Sequence, residues 1–264
     1  MRVSCWRCWR KEGEPLKEAI MMGRLLMRRC SRTLQQRARV VEKGDPDAVH
    51  DLRVATRRLE EVIEFLGPAL PSGPCKRLRR RARAIRRSLG QTRNADVMLE
   101  LVRALRRRVT LEHRRALKPF VDRLTREAAT LRRAGRGLKI RGLLRRVLAL
   151  GDGLSGRKSP SLVRRGREIL AARVRKLEQA LPSARTGETG ALHALRIDIK
   201  QYRYSLEILE ESGMHRLRVA VAAARSLQGE LGRLHDLDSL IEFVEREPLT
   251  ATSRSLVRRL RADR

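Results

Sequence analysis

Aromatic side chains are scarce in this chain: two Trp, two Tyr and three Phe make up 3% of its 264 residues. Modules that read single-stranded nucleic acid stack bases on exposed rings, so this scarcity weighs against that class. Acid is scarce too, with 30 Asp and Glu against 62 Lys and Arg, which leaves a formal charge of +32. An excess of that size opposes compaction by self-repulsion and draws in polyanions over long range. Among the cations lysine is the rare one: nine Lys leave 53 Arg. Arg offers a planar fork of donors suited to phosphate or carboxylate oxygens, whereas Lys is a point charge. A GC-rich genome would also favour Arg, so composition by itself does not establish phosphate binding.

Cysteine is limited to Cys5, Cys8, Cys30 and Cys75. These are too few and too scattered for a disulfide framework and fit reduced thiols in a cytoplasm. Cys5-Trp6-Arg7-Cys8 has CxxC spacing, but no second pair or Cys/His knuckle completes a zinc site. No metal or cofactor is therefore expected. Long apolar runs are missing as well. Ala19 to Met27 is short and broken by Arg24, far below the roughly 20 apolar residues of a spanning helix. A soluble cytoplasmic protein without a membrane partner is expected. Residues 1–14 read as a leader outside the folded core, with Met21 or Met22 as alternative starts.

What is present is helical periodicity, with hydrophobic residues at 41%, enough to build a core. Leu16, Ala19, Ile20, Gly23, Leu26, Cys30 and Leu34 recur at three- and four-residue steps, the spacing of one helix face. Further helices are expected from about Asp47 to Leu66, Cys75 to Leu89, and from Asn94 or Asp96 past Val109. Pro119 would open the next, to about Arg133. Ser161–Leu181, Ala191–Glu211, Met214–Leu231, Asp238–Arg246 and a tail helix after Pro248 follow. Gly135, Gly137 and residues 151–160 punctuate the middle.

An internal repeat organises these helices. His50-Asp51-Leu52-Arg53-Val54 aligns with His193-Ala194-Leu195-Arg196-Ile197 at an offset of 143. Leu89-Gly90 through Asn94-Ala95-Asp96 aligns with Leu231-Gly232 through Asp236-Leu237-Asp238 at an offset of 142. The expected fold is all-α: two homologous antiparallel helical bundles in tandem, about 15–150 and 160–264. On a helix His50, Arg53 and Arg57 share one face while Val49, Leu52, Leu59, Ile63 and Leu66 form another. In the second copy His193, Arg196, Lys200 and Arg203 share a face, opposite Leu195, Ile199, Leu206 and Leu209. The helix after Cys75 sets Lys76, Arg80, Arg83 and Arg87 on one stripe with Arg79 beside it, without the interspersed Glu of a neutralised solvated face. Its counterpart is milder, with Arg225 and Arg233. Gly90…Asn94…Asp96 and Gly232…Asp236…Asp238 read as helix ends followed by N-caps; in the other reading Asp96 and Asp238 orient nearby Arg or His side chains.

These segments resemble the CHAD family, named for histidines in an α-helical domain. The resemblance rests on His50-x-x-Arg53-Val-Ala-Thr-Arg57-Arg58, Leu89-Gly90…Arg93-Asn94-Ala-Asp96, His193-Ala-Leu-Arg196…Lys200 and Leu231-Gly232-Arg233…His235-Asp236-Leu-Asp238. Asn94 departs from the family's usual Asp, and Arg58 is matched by Gln201. The resemblance implies one CHAD domain over 15–264, with pseudo-two-fold symmetry and a basic central surface that binds inorganic polyphosphate. On that basis Arg53, Arg57, Arg196, Lys200 and Arg203 would pair with phosphates, with Arg58, Arg93, Arg225 and Arg233 in support. Lys76, Arg79, Arg80, Arg83 and Arg87 would widen the cradle, and His50 and His193 would donate hydrogen bonds. The function implied is non-enzymatic binding, and polyphosphate granules are one place where such a protein would sit. Three rivals remain: a nucleic-acid binder, an enzyme or accessory module of polyphosphate or triphosphate metabolism, and a scaffold on an acidic protein. No helix-turn-helix, P-loop or ExExK signature supports them.

Overall fold

The computed structural model describes residues 16–42, 45–135, 140–154, 162–212, 215–246, 251–262 and 264. The leader, the Cys5–Cys8 pair, Gly137 and most of the boundary at 151–160 lie outside the described residues. Among those described there are ten α-helices and no strand. They are α1 (Leu16–Glu42), α2 (Pro46–Leu66), α3 (Ser72–Ser88), α4 (Gly90–Arg108), α5 (Leu111–Gly135), α6 (Arg141–Asp152), α7 (Leu162–Ala184), α8 (Thr189–Glu211), α9 (Arg218–Glu245) and α10 (Ala251–Ala262). Asp45 caps α2, its side chain accepting from the Asp47 amide at 2.9 Å.

Several boundaries differ from the sequence reading. Gly90 opens α4 directly: only Leu89, at φ −87° and ψ 0°, separates it from α3. Asn94 and Asp96 therefore sit inside a helix and cap nothing. In the second half α9 runs unbroken through Gly232, Asp236 and Asp238. The capping propensity of Asn and Asp is a local preference, and burial outweighs it here. Leu89 and Leu231 are both buried, and Asp96 is 6% exposed with Arg132 Nε donating to it at 2.9 Å. Pro119 lies within α5 rather than at its start, because the buried row Leu117, Val121, Leu124 and Ala128 extends the helix on both sides.

The cores cross the repeat boundary. The largest joins α1, α2, α3 and α6 and is completed by Ile169 and Leu170 of α7, Leu206, Ile208 and Leu209 of α8, and Val221 of α9. A second core is shared by α4, α5, the C-terminal part of α9, and α10. A third, smaller one holds Ala184, Leu195, Ile199 and Leu231 of α7, α8 and α9. The repeat registers α2 on α8 and α3–α4 on α9. The α4–α5 hairpin of the first half thus packs against α9 and α10 of the second, and α2 lies beside α8.

One buried cation ties the halves where α2 meets α7 and α8. Arg173, 9% exposed, donates to Glu61 at 3.3 Å and Glu64 at 3.0 Å on α2, and to the Gln201 amide oxygen on α8. Burial pushes the Glu61 carboxyl up to about 7 despite the attraction of Arg173. One guanidinium is therefore not asked to hold two full carboxylates at all pH values. Arg173→Met should destabilise the chain by about 3–5 kcal/mol in denaturant titrations at neutral pH. The loss should shrink at acid pH, where Glu61 is neutral and needs no counter-charge. A loss below about 1 kcal/mol at neutral pH would show that the cluster does not hold the halves together.

Candidate functional site

The N-terminal halves of α2 and α8 bring their cation rows to a common cleft of about 560 Å³. From α2 come His50, Arg53 and Arg57; from α8, Arg196 and Lys200. The first turns of α4 add Arg93 and Asn94, and α9 closes the cleft with His235, Asp236, Ser239 and Glu242, followed by its C-cap Arg246. Val54, Val97, Met98 and Phe243 supply apolar wall, which lowers the local polarisability and strengthens the field of the charges around it. Glu242 is engaged by Arg246 at 3.4 Å. Among the described residues none of Arg53, Arg57, Arg93, Arg196 and Lys200 forms an ion pair, and the Arg196 Nε is buried with no hydrogen-bond partner. Arg53 is held by its donation to the Arg86 carbonyl oxygen at the end of α3, so its position is set by backbone rather than by an acid.

This crowding shows in the titration of the groups. Lys200 is pushed down to about 7, first by burial and then by Arg57, Arg196, Arg203 and Arg53. Arg53 falls to about 10, by burial and then Arg57, Arg86 and Arg93, and stays charged at neutral pH. Arg196 is lowered by burial against the opposing pull of Asp236. His50 lies below its ordinary value through burial and then Arg93; His235 does so through burial, Arg196 and His193. Burial raises the Asp236 carboxyl, while Arg196, His235 and Arg93 pull it down. Chemically this is a site short of negative charge, which an anion would complete.

Six of the sixteen residues singled out by sequence line this cleft: His50, Arg53, Arg57, Arg93, Arg196 and Lys200. His193 does not line the cleft but is exposed, its ring 4.9 Å from that of His235. Arg203 turns to Glu207 and Gln228, each at 2.8 Å, and lies over the Tyr204 ring. Arg58 pairs with Glu211 and Glu207, Arg225 with Glu207, and Arg233 with Glu230. Lys76, Arg79, Arg80, Arg83 and Arg87 are on α3 and do not line the cleft; Arg83 pairs with Glu60. Sequence reasoning missed Asn94, His235, Asp236 and Arg246 as cleft residues. The signal for the last was hidden by the expected break in α9. In a continuous helix His235, Ser239, Glu242 and Arg246 recur at steps of four, three and four on one face. Asp96 and Asp238 do orient arginines, Arg132 and Arg264 respectively.

The profile of the CHAD domain matches residues 25–245, and the chain belongs to that family. Two solved structures share the fold. The CHAD domain from the plant Ricinus communis superposes with a TM-score of 0.68 at 21% identity, covering 93% of this chain and 87% of that one. PptA from Streptomyces chartreusis gives a TM-score of 0.66 at 18% identity, covering 93% of each. Comparison with curated proteins returns no match.

The titration pattern has a measurable consequence. A bound polyanion favours the charged forms of Lys200, His50 and His235, so binding takes up protons. Affinity should fall as pH rises from about 6 to about 8, and titration calorimetry in buffers of different ionisation enthalpy should report uptake. Lys200→Arg, charged throughout, should flatten that dependence. In the empty protein the lowered Lys200 value means the opposite sign for stability. Its destabilising effect is fully present below about 7 and fades as pH rises toward its unfolded value. Lys200→Met should therefore raise the neutral-pH Tm of the free chain while weakening anion binding; a lowered Tm would contradict the crowding.

Proposed function

We propose that this chain binds inorganic polyphosphate in the cleft between α2, α4, α8 and α9, as a binding protein without turnover. The observation that carries the reading is the convergence of Arg53, Arg57, Arg93, Arg196 and Lys200, unpaired among the described residues, around one cavity of about 560 Å³. A cavity of that size matches small-ligand sites and suits an unbranched phosphate chain; a duplex is too wide to enter it. Apart from the imidazoles of His50 and His235 the wall has one aromatic ring, Phe243, little for a run of bases to stack on. The family resemblance supplies the identity of the chain, and the geometry supplies the charge and the shape.

Arg57 and Arg196 would meet phosphate oxygens with their forks, and Lys200 would gain its proton as the chain enters. His50 and His235, charged under the same influence, would donate hydrogen bonds. Asp236 would keep the His235 and Arg196 side chains in place and trim the net charge. Asn94, where the family usually has Asp, leaves the α4 side of the cleft with one negative charge fewer.

Replacing Arg57 and Lys200 together by Ala should weaken polyphosphate binding by about 100-fold at fixed salt, on the order of tenfold for each charge-assisted hydrogen bond removed. Fluorescence titration with long-chain polyphosphate reads this directly. Unchanged affinity would remove the cleft from the function, and release of orthophosphate by the wild-type chain would replace binding with catalysis.

A further inference from the structure

The cleft leaves the densest charge in the sequence unexplained. Between Lys76 and Arg87, α3 carries Lys76, Arg77, Arg79, Arg80, Arg81, Arg83, Arg86 and Arg87, and the helix holds no acid. Its core side is Cys75, Leu78 and Ala82, so the cations are turned outward; Lys76, Arg77, Arg80, Arg81, Arg83 and Arg87 are exposed. Among the described residues only Arg83 and Arg86 of this helix find a carboxylate, that of Glu60. Helix α6 packs beside α3 and adds the exposed Arg141, Arg145 and Arg146.

The two helices bring like charges together. A Cβ at Gly142 would lie 3.3 Å from Arg81 Nη1 and 3.4 Å from Arg146 Nη1. Both guanidiniums thus converge over the one α6 position in this stretch that has no side chain. Arg146 donates to the Gly142 carbonyl oxygen, a neutral partner that leaves its charge unbalanced. The buried Nε of the neighbouring Arg79 has no hydrogen-bond partner. Two guanidiniums drawn toward one point repel each other in the empty protein, and an anion placed between them reverses the sign of that interaction.

The repeat does not require this face. The counterpart of α3 is the N-terminal part of α9, where Val219 and Leu227 are exposed and Arg218 and Arg225 pair with Glu210 and Glu207. A strip present in one half only is an addition to the shared cleft, not part of its symmetry.

We propose that the outer face of α3 and α6 is a second polyanion-binding surface, separate from the cleft, that docks the phosphate backbone of a nucleic-acid duplex without reading its sequence.

Shape decides the class of partner. Seventeen residues of α3 make a straight ridge about 25 Å long, along which a duplex offers one charge about every 1.7 Å. A rigid duplex lies against a convex ridge with little loss of freedom, whereas a flexible phosphate chain must be ordered there at an entropic cost. An anionic membrane also offers a flat charged surface. Helices that lie in membrane interfaces place several Trp, Phe or Leu beside their cations; the exposed face of α3 carries none and α6 adds the single exposed Leu148. The strip has no amide side chain to pair with adenine and no aromatic ring to stack on a base, and an unbroken row of cations along a convex ridge suits the phosphates that every sequence presents alike.

The test separates this surface from the cleft. The full chain is titrated against a short random-sequence DNA duplex, against polyphosphate, and against anionic phosphatidylserine vesicles, over a range of salt. Arg77→Ala, Arg80→Ala, Arg81→Ala and Arg145→Ala, combined, should weaken duplex binding by about 10- to 100-fold. They should also reduce the slope of log K against log salt by about 0.9 for each phosphate no longer neutralised, about three to four in all. Their affinity for polyphosphate should hold. The four Lys counterparts should restore the slope, which separates lost charge from lost folding. The Arg57→Ala, Lys200→Ala variant should keep duplex binding while losing polyphosphate, so that failure of one site is not failure of the other. Duplex affinity unchanged in the strip variant, or abolished in the cleft variant, would overturn the proposal. Loss of vesicle binding with duplex binding intact would assign the surface to membranes instead.

Discussion

Two helices that carry the same row of cations have to lie side by side, and the rest of the structure follows from how that repulsion is contained. Each of α2 and α8 is basic toward its N-terminus and acidic toward its C-terminus. His50, Arg53 and Arg57 give way to Glu60, Glu61 and Glu64; Arg196, Lys200 and Arg203 give way to Glu207, Glu210 and Glu211. At the acidic ends cations from the opposite half are supplied, Arg58 to Glu207 and Glu211 and Arg173 to Glu61 and Glu64. Apolar packing of Phe65, Leu206 and Leu209 closes the same end. That end is clamped, so Arg53, Arg57, Arg196 and Lys200 stay near one another although none of them forms an ion pair among the described residues.

Repulsion at the open end has a chemical outcome rather than a structural one. Burial and four neighbouring arginines bring Lys200 to about 7, so part of the stress is relieved by giving up a proton. Arginine has no such outlet near neutral pH, and Arg53, even at about 10, stays charged. The cleft thus combines fixed charges, which would attract an anion at any physiological pH, with the titratable Lys200, His50 and His235, whose charge would respond to its arrival. A site of arginines alone would attract as strongly and would not register proton concentration.

Much of this was legible in the sequence. The period of three and four placed His50, Arg53 and Arg57 on one face and Arg196 and Lys200 on its twin, and the repeat announced that the two faces are equivalent. Facing direction was not legible. The stripe of α3 is as periodic as the row of α2, yet it looks outward because Leu78 and Ala82 are its buried side. Boundaries were misread where local preference and tertiary burial conflict. Asn94, Asp96 and Asp236 have the chemistry of N-caps, but the helices run through them because Leu89 and Leu231 are drawn into the cores and Asp96 meets Arg132. Once α9 is taken as unbroken, Arg246 falls into line with His235.

One mismatch between the halves, Arg58 against Gln201, has an explanation in the packing. The same 143-residue offset that pairs them also pairs Cys30 with Arg173 and Glu64 with Glu207. In the first half the cation is on α2, as Arg58, with the buried Cys30 of α1 close enough to feel its charge. In the second half the cation is on the α7 side, as Arg173, and the α8 position is Gln201, which accepts from it. Each half therefore keeps one guanidinium at this level of the bundle. Arg58 approaches Glu207, and Arg173 approaches Glu64, its repeat equivalent. The sequence symmetry is broken at two positions so that the charge symmetry across the interface survives. The two cations do not carry equal weight: Arg173 is buried against Glu61 and Glu64, whereas Arg58 joins Arg203 and Arg225 around Glu207. The clamp that holds the cleft together constrains charge and position, and leaves open which helix provides the charge.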